Sequence, residues 1–208
     1  MQIKLSNKDQ EIFVFQLDQN NYIKFCPKRG GVITNWVSDG KEILYFDEKR
    51  FMDKTKSIRG GIPILFPICG NLNTSISLFG KDYLQLMQHG FARDLRWQYS
   101  FNEKEKSLCL FLSESKKTKK YYPFDFELKI EVTLKINCLE FEIKIINKTE
   151  IAMPINFGLH PYFNVSDFKN LEFIDYPLKC QNQEKNIISN TLDELKNINL
   201  GVDLLLYT

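Results

Sequence analysis

FELKIEVTLKINCLEFEIKIIN, residues 126–147, alternates apolar and polar side chains almost without interruption. Leu128, Ile130, Val132, Leu134 and Ile136 share one parity, and Leu139, Phe141, Ile143 and Ile145 resume it after Asn137 and Cys138. A period of two over this length specifies a half-buried strand, and two such strands joined by two residues specify an antiparallel hairpin. A turn centred on Asn137 and Cys138 pairs Ile136 with Leu139, Leu134 with Phe141, Val132 with Ile143 and Ile130 with Ile145. The same register sets Lys135 opposite Glu140 and Glu131 opposite Lys144 on the polar face, where opposite charges add a few tenths of a kcal/mol per pair.

Period two recurs in EIFVFQL (11–17), NYIKF (21–25), KEILYF (41–46) and SLCLFLS (107–113). SNTLDELKNI (189–198) alone has a capped, helix-compatible pattern, enough for one or two turns. Many short strands and few helices predict an all-β chain, an antiparallel β-sandwich forming a single domain over 1–208. With 43% hydrophobic and 13% aromatic residues in 208, a sizeable core is expected.

Lys and Arg total 28 against 26 Asp and Glu, a formal charge of +2, which gives no field to attract nucleic acid. KKTKK (116–120) reads as the solvated tip of a connection between two strands. Cys26, Cys69, Cys109, Cys138 and Cys180 are widely spaced and include no CxxC pair, so free thiols and no metal site are expected. Cys69 reads as a small packed hydrophobe. The N-terminus lacks the apolar region of a secretory signal and no stretch is long enough for a membrane helix, which together predict a cytoplasmic protein without membrane contact.

Three irregular stretches carry the chemistry. SIRGGIPILFPICGN (57–71) combines Arg59, whose planar fork suits phosphate or sugar oxygens, with Gly60 and Gly61 and the stiffening Pro63 and Pro67. QHGFARD (88–94) and PINFGLHPYFNVSD (154–167) hold the only two histidines, His89 and His160, each beside glycine and aromatic residues. Phe157, Tyr162 and Phe163 are suited to stacking on the apolar face of a sugar ring. A lone histidine is more often structural, but two in such surroundings form a candidate pair.

RGGIPILFP (59–67), QHGFARDLRW (88–97) and GLHPYFNVSD (158–167), in this order and spacing, resemble the aldose 1-epimerase (galactose mutarotase-like) superfamily, in its hexose-6-phosphate mutarotase branch. The resemblance extends over essentially the whole chain. It implies a large β-sandwich, the galactose mutarotase-like supersandwich, whose concave face takes a small-molecule sugar or sugar phosphate and interconverts its α and β anomers without a cofactor. By position, His160 matches the general acid at the ring oxygen and His89 the histidine that hydrogen-bonds near it. Arg59 matches a substrate-binding arginine, Arg93 a second cation near the phosphate, and Asp203, in GVDLLLY, the aspartate that holds sugar hydroxyls.

The family's general base is a glutamate well C-terminal to that aspartate. The chain ends at Thr208, and Glu127, Glu131, Glu140, Glu142, Glu172, Glu184 and Glu194 lack the matching neighbours. The resulting expectation is a C-terminally shortened member, missing its last strands and its base. The base would then come from another chain, a rerouted glutamate or water. The alternative is a catalytically impaired homologue acting as a sugar-binding module, and in either case an exposed sheet edge would allow self-association.

Overall fold

A computed structural model of the chain describes residues 2–7, 11–102, 104–165, 179–182, 187–189 and 204–207. The chain divides into two compact units, 1–164 and 165–208. In the first, β1 (Gln2–Asn7), β2 (Ile12–Gln16), β3 (Tyr22–Cys26), β4 (Val32–Ser38) and β5 (Lys41–Glu42) form an antiparallel sheet in sequential order. A short helix α1 (Glu48–Met52) follows, then β6 (Ile64–Leu65) and the two-stranded hairpin β7 (Ser77–Leu78) and β8 (Lys81–Asp82). β9 (Gln98–Asn102), β10 (Ser107–Ser113), β11 (Phe126–Lys135) and β12 (Cys138–Asn147) make a second antiparallel sheet in the order β12-β11-β10-β9. β13 (Gly158–Leu159) pairs with β6. In the second unit, β14 (Lys179–Asn182) lies between β15 (Ile187–Ser189) and β16 (Leu204–Tyr207).

The two larger sheets share one core, the sandwich expected from the alternation. Phe15, Ile23, Phe25 and Ile33 of the first sheet join Leu108, Leu110, Leu112, Phe126, Leu128, Ile130, Val132 and Leu134 of the second in a single buried cluster. Aromatic rings bridge the layers: Phe25 lies 5.5 Å from Tyr99, and Phe15 stacks 5.7 Å from Phe101. Each fully buried aliphatic or aromatic side chain contributes about 1.5–3 kcal/mol, so β11, with five in a row, anchors its sheet. β12 is an outer strand of that sheet among the described residues, and its Leu139, Phe141 and Ile145 are accordingly only half-buried.

The hairpin forms with the expected faces but a different register. Lys135 pairs with Cys138, Leu134 with Leu139, Val132 with Phe141, Ile130 with Ile143 and Leu128 with Ile145, so the turn is Ile136-Asn137. Asn137 takes a left-handed φ of 58°, which asparagine tolerates, and its side-chain oxygen accepts a 2.9 Å bond from the Ser38 hydroxyl. That contact with β4 holds the tip one residue earlier than the turn read from the sequence and leaves Ile136 66% exposed. The shift displaces each pairing by two, and a period of two preserves which face is buried. The charge pairing changes more. Glu131 faces Glu142 and Lys129 faces Lys144, while the Lys135–Glu140 contact survives as a 2.6 Å diagonal. Glu131 is instead satisfied by the Ser107 hydroxyl and, at 2.9 Å, by Lys129, which hold its carboxyl below the usual carboxylate range.

Other elements follow local chemistry. KKTKK is a tight turn whose lysines are exposed, while the buried Thr118 hydroxyl accepts from Ser115 N at 2.8 Å and Ser115 Oγ accepts from Thr118 N at 3.1 Å. α1 was not foreseen: five residues are too few to show a stripe, yet Asp47 caps it by accepting from Arg50 N at 2.9 Å. Cys26, Cys69, Cys109 and Cys138 are free thiols, while the side chain of Cys180 lies outside the described residues. The helix expected at 189–198 also lies there, apart from Ser189, which ends β15. Among the described residues no helix is long and apolar enough to cross a membrane.

The register has a measurable consequence. Glu142→Lys places a cation opposite Glu131 and should stabilise the fold by roughly 0.2–1 kcal/mol in urea titrations. A neutral or destabilising effect would favour the other register, in which position 142 faces Thr133.

Candidate active site

The RGGIPILFP segment is the spine on which the other two motifs assemble. At one end, three residues distant in sequence close a ring of backbone hydrogen bonds: Gly61 N to Tyr45 O at 2.7 Å, Tyr45 N to Tyr162 O at 2.9 Å, and Tyr162 N to Gly61 O at 2.9 Å. Asp47 N donates to Arg59 O, His160 N to Pro63 O and Asn164 N to Ile43 O, extending the junction on each side. Gly61 has φ +69° and an added Cβ would lie 2.3 Å from the Ile33 carbonyl oxygen, so only glycine fits the crossing. That carbonyl also accepts from Ile62 N at 2.8 Å, beside the bulge that leaves Thr34 out of the β3–β4 pairing.

At the other end, QHGFARD wraps the Phe66 carbonyl, which accepts from Phe91 N at 3.0 Å and Ala92 N at 3.2 Å. His89 and Gly90 both have left-handed backbones, φ 65° and 70°. A side chain at Gly90 would strike Phe66 O, which explains the glycine after the histidine. His89 is only 4% exposed and clasps Gly70 twice: His89 N donates to Gly70 O at 2.7 Å, and Gly70 N donates to His89 Nδ1 at 3.0 Å. Since Nδ1 accepts, the proton of the neutral imidazole sits on Nε2, leaving that atom as the ring's N–H donor. The clasp also closes the excursion that carries β7 and β8.

GLHPYF joins the spine through the β13–β6 pairing and brings the histidines together, with ring centroids 5.8 Å apart and planes at 80°. His160 stacks on Tyr162 at 4.8 Å and 21°, and Arg59 Nη1 donates to the Tyr162 hydroxyl at 3.3 Å. His89, His160 and Arg59, singled out in the sequence, therefore form one group, joined through Tyr162. Tyr162 stacks on the histidine. Phe157 packs against the core, while Phe163 is 55% exposed. Tyr45, 49% exposed and backbone-bonded to Tyr162, was not singled out; its alternating strand context gave no sign of a second sheet partner.

Arg93 engages its own turn, donating from Nη2 to Gln88 O at 2.8 Å and lying 3.7 Å from the Asp94 carboxylate through Nε. Asp203, with Glu172, Glu184 and Glu194, lies outside the described residues. The Cys69 thiol is half-buried, would touch a side chain at Gly158 at 2.6 Å, and is pushed up in pKa by burial, as a packing thiol should be. Among the described residues no cluster of histidine, cysteine and carboxylate side chains is arranged to hold a metal. A groove of about 450 Å³ between Arg96, Glu114, Glu127 and Lys148 contains neither histidine; the motif residues mark the candidate site on chemistry rather than on volume.

The glycine crossing can be tested directly. Gly61→Ala should lose roughly 3 kcal/mol of stability from strain and overlap, whereas Gly80→Ala, left-handed but with no atom within 4 Å, should lose only about 1 kcal/mol. Equal losses in urea denaturation would remove the crossing as a special constraint.

The sequence matches the family described as aldose 1-epimerase over residues 14–197. It is 32% identical over 164 residues to a protein of Cenchrus ciliaris named "Putative glucose-6-phosphate 1-epimerase", covering 71% of this chain and 46% of that one. Among solved structures, the Slr1438 protein from Synechocystis sp. PCC 6803 is 34% identical with a TM-score of 0.74, over 92% of this chain and 67% of that one. A galactose mutarotase related enzyme from Lactobacillus acidophilus shares the fold with a TM-score of 0.63 at 22% identity, over 94% of this chain and 65% of that one. The chain spans about half the length of the curated relatives it matches. The three motifs gathered on one spine, the two-sheet sandwich beneath them and the match over residues 14–197 together make this chain a member of the aldose 1-epimerase family.

Proposed function

We propose that this chain, as one mutarotase-like domain in the cytoplasm, binds an aldose or hexose 6-phosphate and interconverts its α and β anomers by acid/base ring opening and closure. The observation that carries this reading is the grouping of His89, His160 and Arg59 around Tyr162. His160 in its protonated form gives its proton to the ring oxygen as the bond from that oxygen to C1 breaks. A base, supplied by another chain, a rerouted glutamate or water, takes the proton of the anomeric hydroxyl, and the electrons of that O–H bond form the C1 carbonyl. The open chain rotates about C1–C2, and the reverse transfers close the ring as the other anomer. An imidazole suits the task because its ordinary pKa of about 6.5 lets it give and regain a proton near neutrality.

His89 contributes differently. With Nδ1 held by Gly70 N, it offers Nε2–H as a fixed donor near the ring oxygen and does not need to cycle its proton. Arg59 binds substrate oxygens through its guanidinium, Arg93 supplies a second positive charge toward a phosphate, and Asp203 holds sugar hydroxyls. No cofactor takes part in this scheme.

Saturation-transfer NMR on glucose 6-phosphate and galactose tests the proposal. Exchange between anomers above the buffer rate is expected, falling by about 10²–10⁴ in His160→Ala. Exchange at the buffer rate with sugar binding retained would point to a binding module instead, and exchange unchanged in His160→Ala would remove the histidine from the mechanism.

A further inference from the structure

Resting on that reading, we propose that Tyr162 is a positioning residue that fixes the acid and the substrate-binding cation as one unit. Its ring and its hydroxyl point to different partners. The ring lies nearly parallel to the His160 imidazole at 4.8 Å, and the hydroxyl accepts from Arg59 Nη1 at 3.3 Å. Its backbone is held as firmly, with N bonded to Gly61 O and O bonded to Tyr45 N. His89 faces His160 edge-on at 5.8 Å, so the imidazole has Tyr162 against its face and His89 at 80° to it.

The arrangement separates two effects of one side chain. Removing the hydroxyl takes one hydrogen bond from the Arg59 fork while keeping the stack; removing the ring takes the stacking partner from the imidazole as well. The hydroxyl orients the guanidinium without itself adding a negative charge beside it. A stacked imidazole keeps one ring orientation through the catalytic cycle, and a displacement of about 1 Å at such a group can cost roughly 10²-fold in rate.

Tyr162→Phe should raise KM roughly tenfold with kcat nearly unchanged, and should have no further effect on KM in an Arg59→Met background. Tyr162→Leu should in addition lower kcat by roughly 10²-fold. Loss of the stack has its own signature: the His160 ring protons, readily assigned among two histidines, should move downfield in Tyr162→Leu and stay in place in Tyr162→Phe. The proposal is overturned if Tyr162→Leu retains the wild-type kcat and ring-proton shifts, or if the Tyr162→Phe and Arg59→Met effects on KM simply multiply. Should the wild-type protein show no exchange above buffer, the catalytic reading fails by itself. The same variant cycle, read in galactose and glucose 6-phosphate affinity together with the ring-proton shifts, then decides the role of Tyr162.

Discussion

Three backbone hydrogen bonds joining Gly61, Tyr45 and Tyr162 in a closed ring carry the architecture of the candidate site. Each of the three segments donates to one neighbour and accepts from the other, so none can shift without breaking two bonds. Arg59 stands two residues before Gly61, and His160 two residues before Tyr162. The ring therefore fixes where the cation and the imidazole leave the backbone before any side-chain contact is made. Its condition is a residue without Cβ at position 61, since the Ile33 carbonyl occupies the space a side chain would need.

The sandwich supplies the rigidity that the ring requires. Five buried side chains in a row on β11, facing Phe15, Ile23 and Phe25 across the core, hold the two sheets at a fixed spacing. The RGGIPILFP spine enters that core through Ile62, Ile64 and Phe66, and QHGFARD is bonded to the Phe66 carbonyl. His89 then serves as a clasp, its Nδ1 committed to Gly70 N and its backbone in a left-handed conformation that histidine tolerates better than most residues. Burial, backbone and tautomer together fix the orientation of its ring.

Periodicity made the fold class and the buried faces legible, because alternation by two reports directly on which side of a sheet is dry. It gave the register less well. The Ser38–Asn137 contact and the left-handed Asn137 belong to tertiary structure, and they moved the hairpin turn by one residue without changing its faces. The helix at Glu48–Met52 was too short to show a pattern. For the site, Arg59, His89 and His160 were visible as unusual residues in irregular segments, and their order along the chain matched a family. That Tyr162 joins two of them was not visible, since a tyrosine after His-Pro looks the same whether it meets a ligand or a neighbouring imidazole. Arg93 was read as a second cation near a phosphate; that its guanidinium also bonds Gln88 O and lies beside Asp94 within its own turn was not visible in the motif.

Native-state hydrogen exchange at the amides of Gly61, Tyr45 and Tyr162 reports on the ring itself. If the ring governs the site, these three amides open together and as rarely as those of β10 and β11, at free energies near that of global unfolding. Independent exchange at the three, at rates typical of the exposed turn around Phe79 and Gly80, would show that the ring is incidental and that the sandwich alone positions the histidines.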